Sequence, residues 1–395
     1  MQFLLLKIKV KNLKLTMKFS KRLLKFPHYF FEELDKLKEE YKENLIDMGV
    51  GDPDMPTPPE IIEILKKEAN NPFFHKYSPY QGYSFLKEAI KKYYKKRFDV
   101  DLKEEEILVL IGSKEGLSHV AFTLIDDNTY SLIPDPAYPP YELASKMAGG
   151  IIYKMPLKEE NDFLPDLTKI PESILENTRV MYINYPNNPT GAEANLDFYK
   201  DALKIAQKHD FALINDLCYA EIYEEKEPIS LLQVSKENVL EFNSLSKTFN
   251  MTGWRIAFVC GDERIVQNLA KFKTVIDNCQ FGAIQKAAEY ALLNYETLNK
   301  PIRERYKKRR RKLKEALKEI KMEFFDSQTT FYIWAKPRGS SSYDFAIEFL
   351  KNKRVMIVPG EGFGEEGKGF VRFSVTVPDD KFNEGIKRLK EFCKS

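Results

Sequence analysis

The sequence predicts an α/β protein with a mostly parallel sheet between helices and a second, smaller α+β domain. Short apolar stretches alternate with helical patterns from residue 106 onward, which is typical of parallel strands joined by crossover helices. After about residue 284 the pattern changes to one long, highly charged helical stretch, followed by strands and helices. The length of 395 residues exceeds the usual size of a single core, so we expect two domains.

The composition limits the possible classes of function. Hydrophobic residues make up 43% of the chain and charged residues 31%, which is typical of globular proteins. The formal net charge is only +3, so neither nucleic acid nor an acidic membrane surface is expected as a partner. No apolar run approaches the roughly 20 residues of a membrane-spanning helix. Four scattered cysteines without a C-x-x-C pattern, and four histidines, favour neither disulfides nor a metal site, which fits the reducing cytoplasm.

The N-terminal region divides into two parts. Residues 1–16 contain an apolar run broken at Lys7, too short for a signal-peptide core, and we expect a non-native or disordered extension. Residues 17–48 carry apolar side chains at helical spacing around residues 30–37, and we expect this segment to pack on the small domain. The large domain is predicted to span residues 49–286, and the small domain residues 287–395.

The elements of the large domain follow the alternation in order. Apolar runs bounded by turn residues predict the strands, and amphipathic spacing predicts the helices. The strands are residues 107–111, 129–133, 150–154, 180–184, 211–216, 239–245 and 254–260, and the helices are residues 59–69, 84–98, 115–124 and 196–209. In such sheets ligands bind beyond the carboxyl ends of the strands, so we expect one shared site there.

The small domain begins with a predicted helix over residues 287–320. The elements after it are the strands 330–335, 354–358 and 369–375, and the helices 342–351 and from 379 onward. Residues 362–367 match G-x-G-x-x-G, but the motif leads into a strand and carries two acids, which argues against a dinucleotide site. Residues 306–312 form a basic run within the long helix, and acidic neighbours favour a solvated helix face over a nucleic-acid patch.

One string links two of these strands, namely Ser244-Leu-Ser-Lys-Thr-Phe-Asn-Met-Thr-Gly-Trp-Arg255. It places Lys247 in a tight turn between buried strands, where desolvation lowers the pKa of a lysine and leaves a nucleophilic amine. A lone lysine in such a string is also compatible with a surface loop. The complete string resembles the pyridoxal-phosphate lysine motif of the class I and II aminotransferases, which implies the fold type I architecture and makes Lys247 the lysine that bonds the cofactor.

A carboxylate and two donors are expected around the ring of this cofactor. Asp216 ends an apolar strand, where a buried carboxylate needs a partner, although a turn or helix-cap role is the alternative. The resemblance implies that Asp216 holds the protonated pyridine nitrogen. The strings around Tyr219 and Asn188 resemble the family's donors to the ring 3-oxygen, and Tyr138 resembles the aromatic residue that stacks on the ring. Core packing is the alternative role for Tyr138.

The phosphate group needs donors of its own. Gly112, Ser113 and Lys114 follow a strand and open a helix, where backbone amides and the helix dipole favour an anion, although an ordinary helix cap is the alternative. The resemblance adds four further residues to this cofactor-binding set, which are Arg255, Ser244, Ser246 and Tyr77. Of these, Tyr77 resembles the tyrosine that reaches the phosphate from the neighbouring subunit, which implies a homodimer with shared active sites.

The substrate's carboxylate needs a cation. Arg372 lies between apolar residues of a predicted strand and resembles the arginine that binds the α-carboxylate, with a structural salt bridge as the alternative. The loop around Gly51 resembles the family's substrate loop, in which a backbone N–H meets the same carboxylate, and a plain connecting loop is the alternative. Asn188 belongs to this substrate set as well.

The resemblance implies a ping-pong transfer of an amino group between an amino acid and a 2-oxo acid, with 2-oxoglutarate and glutamate as one pair. Lys247, Asp216 and Tyr219 would be the catalytic residues. The loop and lysine strings look most like the LL-diaminopimelate aminotransferases of lysine biosynthesis. Tyr80 stands where the better-known branch has an acidic residue, and an aspartate or broad-specificity aminotransferase is the alternative. A lyase on the same fold would share these residues, and a transcription regulator would need an added DNA-binding domain.

Overall fold

A seven-stranded sheet forms the centre of the chain in the computed structural model, which describes residues 30–337, 339 and 341–394 together with Ser20 and Arg22. In spatial order the strands are β2 (Ile107–Leu110), β8 (Ala257–Gly261), β7 (Val239–Ser244), β6 (Ala212–Asp216), β5 (Thr178–Ile183), β3 (Tyr130–Asp135) and β4 (Ile151–Pro156). The expected extension, residues 1–16, lies outside the described residues.

The sheet is parallel except for β8. This strand runs antiparallel to both neighbours, with Leu110 opposite Ala257 and Phe242 opposite Val259. The predicted α/β class with a mostly parallel sheet is therefore confirmed. The apolar pattern of β8 predicted a buried strand but not its direction, because strands buried on both faces look alike in sequence.

Helices cover both faces of this sheet because its strands are apolar on both sides. Ile107 and Val109 of β2 face one core and Leu108 and Leu110 the other, as the alternation of side chains along a strand requires. The first core is covered by α3 (Ser84–Phe98), α7 (Leu196–Lys208) and α10 (Gly282–Leu293). The second is covered by α4 (Ser113–Leu124), α5 (Pro140–Met147) and α9 (Glu263–Lys273).

A four-stranded antiparallel sheet forms the C-terminal part. Its strands are, in order, β12 (Val358–Pro359), β13 (Val371–Ser374), β10 (Tyr332–Lys336) and β9 (Glu323–Phe324). It shares a separate apolar core with α11 (Tyr295–Glu319), α12 (Ser342–Lys353) and α13 (Asp379–Phe392). Next to it, β1 (Ile46–Asp47) pairs in parallel with β11 (Val355–Met356), which joins the N-terminal segment to this part.

The remaining helices are α1 (Phe30–Glu40), α2 (Pro59–Glu68), α6 (Glu172–Leu175) and α8 (Leu245–Thr248). The predicted helix over residues 287–320 is two helices, because the chain leaves helical geometry at Asn294, where the amide side chain donates to Tyr290 O. Since α10 packs on α2 and α3, we propose that the boundary between the large and small domains lies near Asn294 rather than at residue 286. The division into domains stays a prediction.

The expectation of a solvated face for the basic run of residues 306–312 is wrong for its central arginines. Arg309 and Arg310 are 3% and 1% exposed. Arg310 pairs with Glu224 and donates to the carbonyl oxygens of Thr329 and Tyr332. Sequence reasoning missed these partners because they are distant along the chain.

In the part of the chain that the structure describes, no helix has the length and apolar character needed to cross a bilayer.

Candidate active site

A cavity of about 580 Å³ lies where the large sheet faces the small one. Asp216 ends β6, Ser244 ends β7 and Ser113 lies just beyond β2, so the strand ends deliver polar side chains to one place. Every predicted site residue lines this cavity except Gly112 and Tyr77. The expectation of a shared site beyond the carboxyl ends of the strands therefore matches the arrangement of these side chains.

Lys247 lies in α8, a single helical turn that replaces the predicted tight turn between β7 and β8. Its Nζ donates to Gly51 O at 2.5 Å and lies 5.8 Å from the centre of the Phe331 ring. Burial lowers the pKa of the Lys247 amine to about 8; the cationic Arg372 and Arg255 lower it too, and Asp52 opposes them. A considerable fraction of this amine is neutral, and hence nucleophilic, near pH 8.

Asp216 is buried at the end of β6. Its carboxylate accepts hydrogen bonds from the Tyr141 hydroxyl at 2.7 Å and from the Cys218 N–H at 3.3 Å. Burial raises the pKa of Asp216, and no ion pair to it is present among the described residues. A buried carboxylate with only neutral donors favours the approach of a cation from the cavity, and a protonated ring nitrogen would satisfy it.

The loop after β5 is held by Asn184. The Asn184 amide donates to Asp216 O at 2.6 Å, and its oxygen accepts from the Asn188 N–H at 2.8 Å. These bonds fix Asn188 relative to Asp216. On the other side of the cavity, the Tyr219 and Tyr332 hydroxyl oxygens lie 3.1 Å apart. Both predicted donors to the ring 3-oxygen, Asn188 and Tyr219, thus line the same cavity as Lys247.

Arg372 has the surroundings expected of a carboxylate-binding residue. Its Nη1 donates to Asn188 Oδ1 at 2.6 Å and its Nη2 to Gly49 O at 2.7 Å. Its Nε is buried without a hydrogen-bond partner in the described part of the chain, and no carboxylate there pairs with Arg372. The guanidinium lies 4.0 Å from the Tyr332 ring centre. The alternative of a structural salt bridge therefore has no support from the described residues.

The opposite end of the cavity is cationic. Gly112 precedes α4 with φ +85°, and no side chain caps the amides that begin this helix. A Cβ on Gly112 would lie 2.3 Å from Arg255 Nη2, so only glycine allows this approach. Burial, and then the neighbouring Arg255, lower the pKa of Lys114. Free amides beside two cations favour an anion, and a phosphate group fits this end. Ser244 and Ser246 line it from the lysine motif.

Three further predicted residues differ in their placement. Tyr138 lines the cavity and packs edge-on against Tyr141, with Lys114 Nζ 5.8 Å from its ring centre, so it is not simply a core residue. Gly51 lines the cavity and its carbonyl accepts from Lys247 Nζ, while a Cβ there would overlap the Tyr332 hydroxyl; the contact of its N–H with the substrate's carboxylate stays a prediction. Tyr77 is 88% exposed and does not line the cavity of this chain.

Several lining residues were not predicted. No site role was predicted for Tyr141 or Tyr332, and only the fold shows that their hydroxyl groups reach Asp216 and Tyr219. The string from Asp135 to Tyr141 did contain the signal for Tyr141, since a buried tyrosine hydroxyl needs a polar partner. Asp52 follows Gly51 directly and lines the cavity, so its negative charge lies close to the Lys247 amine.

One cluster of possible metal ligands lies outside the cavity. Glu115, His119 and Asp277 bring one ligand atom each within 4.8 Å of one another. The Lys273 ammonium contacts both carboxylates, at 3.4 Å from Glu115 and closer to Asp277. This ammonium offsets one of the two carboxylate charges and would repel a metal cation.

Comparison with known proteins agrees with this arrangement. The family model for class I and II aminotransferases matches residues 43–389. The LL-diaminopimelate aminotransferase of Aquifex aeolicus is 45% identical over 380 residues, which cover 94% of this chain and 98% of that protein. The enzyme of the same name from Dehalococcoides mccartyi is 42% identical over 384 residues, covering 95% and 99%.

Solved structures of similar proteins share this fold over nearly the whole chain. Substrate-bound BacF from Bacillus subtilis superposes with a TM-score of 0.91 at 36% identity, covering 95% of this chain and 98% of that one. A probable N-succinyldiaminopimelate aminotransferase from Thermus thermophilus superposes with a TM-score of 0.85 at 34% identity, covering 91% and 99%. The sequence motifs, the sheet order and these similarities lead to one conclusion: the chain belongs to the class I and II aminotransferases.

Proposed function

We propose that this aminotransferase uses pyridoxal phosphate to move an amino group between LL-diaminopimelate and 2-oxoglutarate, as part of lysine biosynthesis. The substrate is inferred from relatives of that name at 45% and 42% identity over nearly the whole chain. The observation that carries the chemistry is the convergence of Lys247, Asp216 and Arg372 on one cavity. None of the three has an oppositely charged partner within hydrogen-bonding distance among the described residues.

The residues of the cavity would hold the cofactor at both ends. The amides that begin α4, together with Arg255, Ser113, Ser244 and Lys114, would bind its phosphate. When bound, pyridoxal phosphate supplies an electron-withdrawing heterocycle that stabilises negative charge on the substrate's α-carbon. Asp216 would keep its ring nitrogen protonated, and the hydroxyl of Tyr141 keeps the Asp216 carboxylate oriented.

Lys247 carries the proton transfers. Its amine, with a pKa of about 8, would bond the cofactor between turnovers and would be released when a substrate amine takes its place. With the cofactor in place, the Lys247 Nζ would take the proton from the substrate's α-carbon as a base and would later give it up again as an acid. Gly51 O, 2.5 Å from Nζ, positions the amine for both steps.

Arg372 would bind the carboxylate shared by all substrates. Its free Nε and its Nη groups form a fork that matches the two oxygens of an α-carboxylate. Because an amino acid and a 2-oxo acid bear this group in the same place, one site serves both halves of the reaction. The amino nitrogen stays on the enzyme between the two halves, which gives ping-pong kinetics.

We also propose a homodimer. Residues 73–80 and 274–281 are joined by a hydrogen bond from Ser78 Oγ to Gln280 O at 2.6 Å. Large apolar side chains on these two segments are exposed, and they are Phe73 (59%), Tyr77 (88%), Tyr80 (45%), Val275 (79%), Ile276 (55%) and Phe281 (39%). A second copy of the chain would cover this surface, and Tyr77 would then reach the partner's phosphate site.

A panel of amino donors and 2-oxo acceptors tests the proposal. We expect glutamate formation from LL-diaminopimelate and 2-oxoglutarate at a higher kcat/KM than from aspartate or aromatic amino acids. Loss of substrate without appearance of glutamate would indicate a lyase instead. Higher activity with aspartate would contradict the proposed substrate while leaving the reaction type intact.

The second candidate is an aspartate or broad-specificity aminotransferase. Tyr80, at the proposed interface, replaces the acidic residue that the better-known diaminopimelate enzymes have before Gln81 and Gly82. A tyrosine cannot pair with the distal ammonium group of LL-diaminopimelate as a carboxylate does. A Tyr80→Glu variant with unchanged activity on LL-diaminopimelate would show that other residues recognise this end.

A further inference from the structure

We propose that Arg309 is a positioning residue for the substrate site, although it does not line the cavity. Arg309 lies in α11 and is 3% exposed. Its guanidinium bonds to three segments that are far apart along the chain, and two of them carry groups that face the substrate. This inference rests on the proposed function.

The first segment is the loop that carries Gly51 and Asp52. Arg309 Nη1 and Nη2 donate to the two oxygens of Asp54 at 2.7 and 2.9 Å. The Asp54 side chain is 6% exposed, so this bidentate pair is shielded from water. Asp54 stands three residues after Gly51, whose carbonyl contacts Lys247 Nζ.

The second segment continues β13. The same Arg309 Nη1 also donates to Val375 O at 3.0 Å. Val375 stands three residues after Arg372, the proposed carboxylate-binding arginine. One guanidinium nitrogen therefore bridges the loop that positions the Lys247 amine and the strand that positions Arg372. The third segment is α13, where Asp379 accepts from Arg309 Nε at 2.8 Å, but Asp379 is 64% exposed.

The loop has other anchors, and their placement explains why Arg309 matters. Thr57 Oγ1 donates to Asn250 O at 2.8 Å, which ties the loop's far end to the lysine motif. Thr376 Oγ1 donates to Val50 O at 2.8 Å, and Arg372 Nη2 to Gly49 O, so the near end is tied to β13 and to the residues that follow it. Between these anchors, the Asp54–Arg309 pair is the buried ionic link to α11.

The expected consequence is a change in substrate binding with little change in cofactor binding. Arg309→Lys keeps the charge but cannot bridge Asp54 and Val375 with a planar fork. Gly51 O and the Arg372 guanidinium are then no longer held at a fixed distance from each other. We therefore expect KM for LL-diaminopimelate and for glutamate to rise about tenfold. The affinity for pyridoxal phosphate should stay within about twofold, because no phosphate-binding residue contacts Arg309.

Three variants make the test specific. Asp54→Asn removes the same pair from the loop side and should raise KM in the same way, which keeps the test valid where Arg309→Lys fails to fold. Asp379→Asn removes only the carboxylate charge at this exposed contact and should leave KM within about twofold. Arg97→Lys alters another buried arginine, paired with Glu221 away from the cavity, and should lower thermal stability without a rise in KM.

Steady-state kinetics, cofactor titration and thermal unfolding of the purified cofactor-loaded enzymes decide the outcome. A rise in KM for Arg309→Lys and Asp54→Asn, but not for Asp379→Asn or Arg97→Lys, supports the inference. Unchanged KM in both Arg309→Lys and Asp54→Asn, or an equal rise of KM in Arg97→Lys, overturns this inference but leaves the proposed function intact. A wild-type chain without any transamination overturns the proposed function, and the inference with it.

Discussion

Lys247 is the residue whose surroundings determine most of the proposed chemistry. Burial holds its pKa at about 8, below the ordinary value of a lysine. Because the pKa is lowered, the neutral amine becomes the major form as the pH rises through about 8 rather than above 10. This gives the cavity a nucleophile that most surface lysines do not provide near neutral pH.

Replacing Asp52 should make the Lys247 amine still less basic. The Asp52 carboxylate raises the pKa of Lys247, so its loss in Asp52→Asn destabilises the ammonium form and lowers the pKa below that of the wild type. The pH dependence of the rate at which cofactor-free protein takes up pyridoxal phosphate measures this shift. A midpoint that moves to higher pH in the variant would contradict the assigned electrostatics.

Replacing Arg372 should impair substrate binding more than cofactor binding. Arg372→Lys keeps one charge but loses the fork that we propose to bind the α-carboxylate, and leaves that carboxylate poorly paired in a buried site. We expect KM to rise about a hundredfold, which corresponds to the lower end of the roughly 2–5 kcal/mol that truncating one partner of a buried charge pair costs. The visible absorbance of the bound cofactor should be retained. Unchanged KM for every donor would show that another cation binds the substrate.

At the scale of an element, the start of α4 shows how backbone geometry prepares a site. The conformation of Gly112, φ +85° and ψ 150°, is one that essentially only glycine adopts, and the two residues that follow it, Ser113 and Lys114, line the cavity. The same position lets the Arg255 guanidinium approach the backbone. Sequence alone showed a glycine before a helix but not this approach.

Gly112→Ala should therefore weaken cofactor binding. The new methyl group meets Arg255 Nη2, and the backbone conformation costs a further 1–3 kcal/mol or so. We expect the Kd of pyridoxal phosphate, measured by titration of its absorbance, to rise about tenfold or more. Gly253→Ala is the matched control, because a Cβ there meets nothing within 4 Å. Equal loss in both variants would mean that the effect is not specific to the phosphate end.

The elements were predicted well where one local pattern determined them. The helix over residues 84–98 matches the structure at both ends, and the sheet strands lie within a few residues of the predicted ranges. What failed were features that depend on distant partners. Arg309 and Arg310 were interpreted as surface charges because their buried ion-pair partners, Asp54 and Glu224, lie more than eighty residues away in the sequence.

The G-x-G-x-x-G string shows the same limit. Its rejection as a dinucleotide motif left it without a role, and the structure supplies one. The Asp135 carboxylate accepts from the N–H groups of Glu365 and Glu366, and a Cβ on Gly364 would overlap this carboxylate. The turn thus binds a carboxylate of the protein itself rather than a pyrophosphate. No sequence pattern pairs Asp135 with a turn some 230 residues later.

At the scale of the whole molecule, the proposed dimer follows from an exposed apolar surface near the phosphate end. Val275→Lys places a charge on that surface and should shift the protein toward the 46.1 kDa monomer, measured by analytical ultracentrifugation. Activity should fall with the dimer, because Tyr77 then no longer reaches the partner's site. Leu196→Lys, at an exposed leucine elsewhere, is the control. A wild-type monomer with full activity would contradict the shared site.

The central claim is that Lys247 bonds pyridoxal phosphate. Borohydride reduction of the cofactor-loaded protein, followed by peptide mass spectrometry, locates that bond directly. We predict one modified residue, Lys247, and no modification in Lys247→Ala, which should also lack turnover. Modification of another lysine instead of Lys247, or full turnover by Lys247→Ala, would contradict the account.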